Sequence, residues 1–304
     1  MVCIKICCVT INLKKKMITI LIAICTSACL NLLLQFVNAH YTYNVALILL
    51  IVEISKLLLC LIGMLCISRQ RNCPVRFGFI VNSVLYAVVN YLSHYITKTI
   101  PVSIYSVLIQ HKLVWIVFFS ILILKKSFTK QQYCALIAVC SGCILTKMTD
   151  DSMGDVAKRQ MSTGLLLIAL QGICSSLSSV WIEKMMKVTE RPLISENYNK
   201  LYWFLADSFQ MYLFAIPIYA TSYVLGFGAP VITTLSLEAT IIVILLSILN
   251  GMILGAVFVY HSSVIRSIIA AIVIVILAIE HNIYSIPIIS GIGLVLLGVI
   301  GWTI

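Results

Sequence analysis

NVALILLIVEISKLLLCLIGMLCI, residues 44–67, decides the fold. Only Glu53 and Lys56 are charged in that run. A bilayer core requires roughly 20 predominantly apolar residues in one helix. The run is continuous instead of alternating, so it is no barrel strand. Glu53 and Lys56 stand three apart on one helix face, close enough to pair and neutralise each other. A pair of this kind belongs inside a helix bundle and not against lipid.

Outward from this run, hydropathy reads nine further segments at 17–38, 77–97, 100–124, 131–147, 162–183, 201–224, 238–260, 264–281 and 285–303. The first is longer than a signal-peptide core and is followed by more spans, so it is expected to stay in the protein. The longest connections, 148–161 and 184–200, are too small to be domains. The expectation is an all-α polytopic membrane protein of ten spans forming one transmembrane domain over 1–304.

Composition agrees. Of 304 residues, 62% are apolar and 10% charged, against roughly 25% charged in an ordinary soluble domain. This excludes a soluble globular fold, a disordered chain and a secreted disulfide scaffold. Most of the twelve cysteines lie in apolar runs, where the thiol behaves as a small hydrophobe. Cys140-Ser-Gly-Cys143 accordingly reads as helix packing and not as a redox pair. Cys3, Cys7 and Cys8, beside basic residues, are candidates for palmitoylation, with the unmodified state favoured.

The net charge of +11 marks topology, not nucleic acid. Lys5, Lys14, Lys15, Lys16, Arg69, Arg71, Arg76, Lys125, Lys126, Lys130, Lys184, Lys187, Arg191, Lys200 and Arg266 fall on one side of the expected spans. Lys98, Lys147, Lys158 and Arg159 fall on the other, and Lys56 and Lys112 lie within spans. Positive residues collect on the cytoplasmic side. Both termini are therefore expected in the cytoplasm, with 1–16 as a cytoplasmic N-terminal segment.

Lys112 has about twelve residues of span on either side, roughly 18 Å of helix each way, too far for its side chain to snorkel. Tyr105 lies two turns earlier on the same face of a continuous helix, and an ammonium beside a phenol suits an anion such as a phosphate. The competing reading is an internal ion pair of Lys112 with Asp207 or Glu280. The third span carries Asn82, Tyr86, Asn90 and Ser93 or His94 on one face. Such a row either joins helices or lines a cavity, and four large polar groups favour the cavity. Ser27, Asn31 and Gln35 form a weaker row in the first span, and Ser175, Ser176, Ser178 and Ser179 in the sixth read as packing. Arg266 stands near the start of the ninth span, either anchored at the interface or reaching the cavity of Lys112. Glu183 and Lys184 close the sixth span as a gate or cap. No histidine or cysteine spacing suits a metal, and no nucleophile elbow or phosphate loop is present. No cofactor is expected and no enzyme is indicated.

Several runs resemble the nucleotide-sugar transporter family of the drug/metabolite transporter superfamily. Val52-Glu53-Ile54-Ser55-Lys56-Leu57-Leu58 resembles its T-E-x-x-K-L-L motif. Tyr86-Ala87-Val88-Val89-Asn90 through Tyr105 to Gln110-His111-Lys112 is similar to its Y-A-x-x-N…Y-Q-x-x-x-Q-x-K stretch. Trp181-Ile182-Glu183-Lys184 resembles its F-E-K ending, and Asn250-Gly251 with Tyr260 through Arg266 its C-terminal motif. Val259-Tyr260-His261-Ser262-Ser263 departs from the family's K-Y-x-D-N, and Asn197–Tyr202 is closer to a UDP-sugar branch of the family.

The resemblance implies two inverted five-helix repeats, 17–147 and 162–303, around a central site. It implies alternating-access exchange of a UDP-sugar for the nucleoside monophosphate, UMP, in the Golgi or endoplasmic reticulum membrane. It assigns nucleoside contacts to Tyr86 and Asn90, a site position to Tyr105, and phosphate contacts to Lys112 and Arg266. The chain's partners would then be these nucleotides, membrane lipids and, as a homodimer or in complexes, itself or glycosyltransferases, with no nucleic acid. Two alternatives stay open: a related carrier of another phosphorylated metabolite, and a non-transporting membrane scaffold for glycosyltransferases.

Overall fold

A computed structural model describes residues 20–30, 33, 44–67, 75–99, 105, 108–145, 155–187, 198–226, 237–260, 263–281 and 286–303. Cys3, Cys7, Cys8, Asn31, Gln35 and Asn197 lie outside them, as do the side chains of His94, Arg266 and Glu280. Every regular element among the described residues is helical. The helices are α1 (Ile20–Leu30), α2 (Val45–Ile67), α3 (Gly78–Thr99), α4 (Lys112–Leu124) and α5 (Lys130–Leu145). They continue with α6 (Asp155–Lys187), α7 (Tyr198–Val224), α8 (Leu237–Tyr260), α9 (Ser263–His281) and α10 (Ile286–Thr303).

Two stretches, Val45–Cys66 in α2 and Gly164–Met186 in α6, are long and apolar enough to cross a membrane; the other apolar helical stretches described are shorter. The expected loop 148–161 is in part helix, since α6 begins at Asp155. Hydropathy registers only the part of a helix that lipid would cover. Asp155-Val-Ala-Lys-Arg-Gln-Met is polar, but it contains good helix formers and opens with an acid, which favours a helix start.

The expected continuous helix over 100–124 is also revised. Ile109–His111 forms a 3₁₀ turn, and Lys112 is the first residue of α4. Each 3₁₀ residue turns the chain by about 120° instead of 100°, so the three residues shift the helical phase by about 60° in all.

Polarity is inverted relative to a soluble protein. Glu53, Lys56, Gln171, Glu183 and Asp207 are buried, while Leu65, Leu122, Ile137 and Leu166 are each at least 65% exposed. That distribution suits an apolar solvent around the bundle.

Neighbouring helices meet through small residues, as membrane helices do. A Cβ on Gly142 of α5 would lie 2.6 Å from the Gly291 carbonyl oxygen of α10. One on Gly298 would lie 2.6 Å from the Ala135 carbonyl oxygen. Cys143, buried beside them in the core with Leu113, Val139 and Val295, is a free thiol, which agrees with packing for Cys140-Ser-Gly-Cys143.

The α4–α5 connection is locked at both ends. Lys125 adopts the left-handed conformation, φ 52°, and the Lys126 N–H reaches back to the Ser120 carbonyl at 3.3 Å, closing α4 with a left-handed cap. Thr129 and Gln132 then form a reciprocal capping box. The Gln132 N–H donates to Thr129 Oγ1 at 3.3 Å and the Thr129 N–H to Gln132 Oε1 at 3.0 Å. The position of Lys126 is thereby set by local sequence.

Candidate functional site

Glu53 and Lys56 form the pair their spacing predicts, with Lys56 Nζ 2.9 Å from Glu53 Oε1 and both side chains at most 5% exposed. The ammonium lies against Gly251 of α8 and 5.4 Å from the centre of the Tyr212 ring of α7. Tyr86 stands close enough to Lys56 to interact with it electrostatically, as does Tyr219 with Glu53. Asn90 Nδ2 donates to the buried Tyr219 Oη at 2.6 Å. Tyr86, Asn90, Glu53 and Lys56 are therefore gathered where α2, α3, α7 and α8 meet.

The row on α3 divides by depth. Asn82, expected to line a cavity, joins helices instead: it accepts from Ser178 Oγ at 2.7 Å and its Nδ2 lies 3.1 Å from Met211 Sδ. Two partners are enough to bury it, and it is 2% exposed. Ser93 lies 3.1 Å from Tyr105 Oη, and Gln171 Nε2 donates to the same oxygen at 2.7 Å. Tyr105 is thus tied to α3 and α6. A 3₁₀ turn lies between it and Lys112.

The Lys112 carbonyl accepts from Ser176 Oγ at 2.8 Å. Its neighbour His111 packs on Gly172 of α6, with Nδ1 2.6 Å from the Leu108 carbonyl oxygen. The serine run of α6 does join helices, through Ser176 to α4 and Ser178 to α3. In the first span, Ser27 Oγ donates to Asn250 Oδ1 of α8 at 2.7 Å. Asp207, named in the competing reading, has its Oδ1 3.4 Å from Arg76 Nη1. Arg76 N–H also donates to Gln210 Oε1 at 2.8 Å, so the start of α3 is bound to the middle of α7.

Glu183, fully buried, collects three elements. Its Oε1 accepts from Lys126 Nζ at 2.5 Å, and its Oε2 from the Ser263 N–H at 2.9 Å. Ser263 opens α9, so the carboxylate sits at a helix N-terminus whose first N–H groups have no intrahelical acceptor. Lys184 lies 5.4 Å from the centre of the Trp181 ring, whose Nε1 donates to the Gly78 carbonyl at 2.9 Å.

The helix α6 serves as a ruler. The Lys112 carbonyl meets it at Ser176 and the α9 N-terminus meets it at Glu183, seven residues or about 10 Å apart. Ile116, Val180, Val264 and Ile268 form one core cluster, so α9 runs from the Glu183 level back towards Lys112. Arg266 is one turn into α9, which places its backbone within about 6 Å of the Lys112 level along the axis.

Gln171, Tyr219, Tyr212 and Lys126 were missed by the sequence reading. Gln171 carried a usable signal, a lone amide in the apolar run Gly164–Met186. The others are tyrosines among many or a loop lysine, and only the packing distinguishes them.

Two comparisons bear on identity. A solved crystal structure of a protein, 12% identical, matches over 94% of this chain and 98% of its own with a TM-score of 0.68, which concerns the fold alone. The sequence profile described as Nucleotide-sugar transporter matches residues 10–301, nearly the whole chain and every side chain assembled above. The chain belongs to the nucleotide-sugar transporter family.

Proposed function

We propose that the protein exchanges a UDP-sugar for UMP across the Golgi or endoplasmic reticulum membrane by alternating access. Lys112 and Arg266 take the phosphates, and Tyr86, Asn90 and Tyr105 hold the nucleoside. The observation that carries this reading is the placement of Lys112 and the first turn of α9 at neighbouring levels of α6, inside a bundle with an apolar exterior. Both cations attract a diphosphate more strongly in a low-dielectric interior than in water. The loaded carrier then reorients more readily than the empty one, which favours exchange over uniport.

The reading includes ten spans in two inverted repeats, 17–147 and 162–303. Helix pairing supports it. In an inverted repeat, helix n and helix n+5 run in opposite directions where they meet. Gly63 of α2 meets Leu205 near the start of α7, while Leu49 and Leu50 pack with Ala215 and Tyr219 further along it. Gly142 of α5 meets Gly291, and Gly298 of α10 meets Ala135. Both pairs are antiparallel. The contacts of α3 with α6 and α7 have counterparts in those of α8 with α1 and α2. The convergence of Arg76, Lys126 and Lys184 at one end of α6 supports a cytoplasmic assignment for that end and, with it, for both termini.

Glu183 is then a cytoplasmic gate, joining the α4–α5 turn to α9. Opening that side separates Glu183 from Lys126 and Ser263, and the movement is transmitted to Lys112 through α4 and to Arg266 through α9. Glu183→Ala should lower stability by about 1–2 kcal/mol, the scale of a charge lost from a buried helix N-terminus. It should also raise labelling of a cysteine placed beside it by a membrane-impermeant maleimide from the basic side. Unchanged labelling would remove Glu183 from the gate.

The exchange itself is tested in proteoliposomes. Uptake of labelled UDP-sugar should rise with internal UMP and be near background without it. Equal uptake with and without internal nucleotide would overturn exchange.

A further inference from the structure

Gln171 is 3% exposed within the apolar stretch Gly164–Met186. Its Nε2 donates to Tyr105 Oη at 2.7 Å and lies 3.4 Å from the Val89 carbonyl oxygen. A carbonyl oxygen only accepts, so Val89 fixes which end of the amide is nitrogen. The other end, Oε1, is buried and accepts no hydrogen bond among the described residues. Buried acceptors in folded proteins are nearly always paired, and the two contacts of Nε2 leave Oε1 unaccounted for.

Tyr105 Oη accepts from Gln171 and shares a contact with Ser93 Oγ at 3.1 Å, in which either oxygen can donate. With Ser93 donating, the phenolic proton of Tyr105 is available to an acceptor. Gln171 Oε1 and Tyr105 O–H then form an acceptor beside a donor, held in register by the amide–phenol bond. Their complement is an N–H beside a carbonyl. The edge of a uracil ring has this arrangement in N3–H and its flanking carbonyls.

The spacing agrees. Gln171 precedes Ser176, which holds the Lys112 carbonyl, by five residues, about 7–8 Å of helix axis. That distance is comparable to the span from base to phosphate in a nucleotide. We infer that Gln171 is a specificity-determining residue that accepts the N3–H of uracil, with Tyr105 donating to the adjoining carbonyl. This rests on the nucleotide-sugar reading given above and adds to it the base that is read and the atom that reads it.

The test is thermal unfolding of the purified full chain titrated with UMP and with N3-methyl-UMP, in which a methyl group replaces the N3 hydrogen and removes the donor. A ligand that binds only the folded state raises its stability according to its affinity. A site built to hydrogen-bond a group rejects the analogue that lacks it. Wild type should bind UMP at least tenfold more tightly than N3-methyl-UMP. Gln171→Leu should bind the two within about twofold of each other, and Gln171→Met, closer in volume, serves if the leucine variant does not fold. Equal affinity of wild type for the two nucleotides overturns the inference and leaves the nucleotide reading standing, as does discrimination that survives in the folded variant. A wild type that binds neither UMP nor any other nucleoside monophosphate overturns the nucleotide reading, and this inference with it.

Discussion

Replacing Lys56 by methionine should destabilise the protein by about 3–5 kcal/mol, the cost of leaving a buried charge without its partner. Glu53 is 2% exposed and Lys56 Nζ lies 2.9 Å from its Oε1, so no water can take the place of the lysine without the bundle opening. The double variant Glu53→Gln/Lys56→Met should recover most of that loss, since it replaces an ion pair with neutral groups of similar volume. Thermal unfolding of the purified single and double variants measures the difference. If the two melt together, the pair does not act as a unit. The pair lies where α2 touches Tyr212 of α7 and Gly251 of α8, so the single variant should also loosen the contact between the two halves.

Lys112→Ala should weaken UMP binding by about 10- to 100-fold, from the 1.5–3 kcal/mol that a hydrogen bond to a charged group contributes. Exchange in proteoliposomes should fall in step. The variant should fold, because the main-chain contact through which Ser176 holds this residue, Ser176 Oγ to the Lys112 carbonyl, does not depend on the side chain. Lys112→Arg should rescue only in part, since a planar fork and a compact ammonium approach phosphate oxygens differently. If Lys112→Ala folds and exchanges at the wild-type rate, Lys112 is not in the site.

Much of the helix layout was legible in the sequence because the signal is local. A helix in lipid must be apolar along its own length, so hydropathy located α2 and the apolar part of α6 closely. It failed at Asp155, where the helix continues beyond the apolar region, and at Ile109–His111, where a run without proline or glycine tightens into a 3₁₀ turn. The site was legible in its residue types. A lysine, a tyrosine or a glutamine inside an apolar run is costly enough to demand a reason. What each residue touches was not legible. Asn82 and Asn90 share one helix face, yet Asn82 is bound to Ser178 while Asn90 reaches Tyr219.

The sequence by itself determined an all-helical chain with buried charges, the family to which it belongs, and the one ion pair whose partners are three residues apart. The other pairings belong to the tertiary structure. Lys126 reaches Glu183 across 57 residues and Arg76 reaches Asp207 across 131, distances at which helical periodicity says nothing. The physical reason is the range of each constraint. Hydrophobicity acts on every residue separately and can be read along the chain. A buried charge is stabilised only by whichever group the packing of whole helices brings within hydrogen-bonding distance. So the sequence named Glu183 and Lys112, and the bundle decided that the first caps α9 and that the second lies about one turn from the level of Arg266.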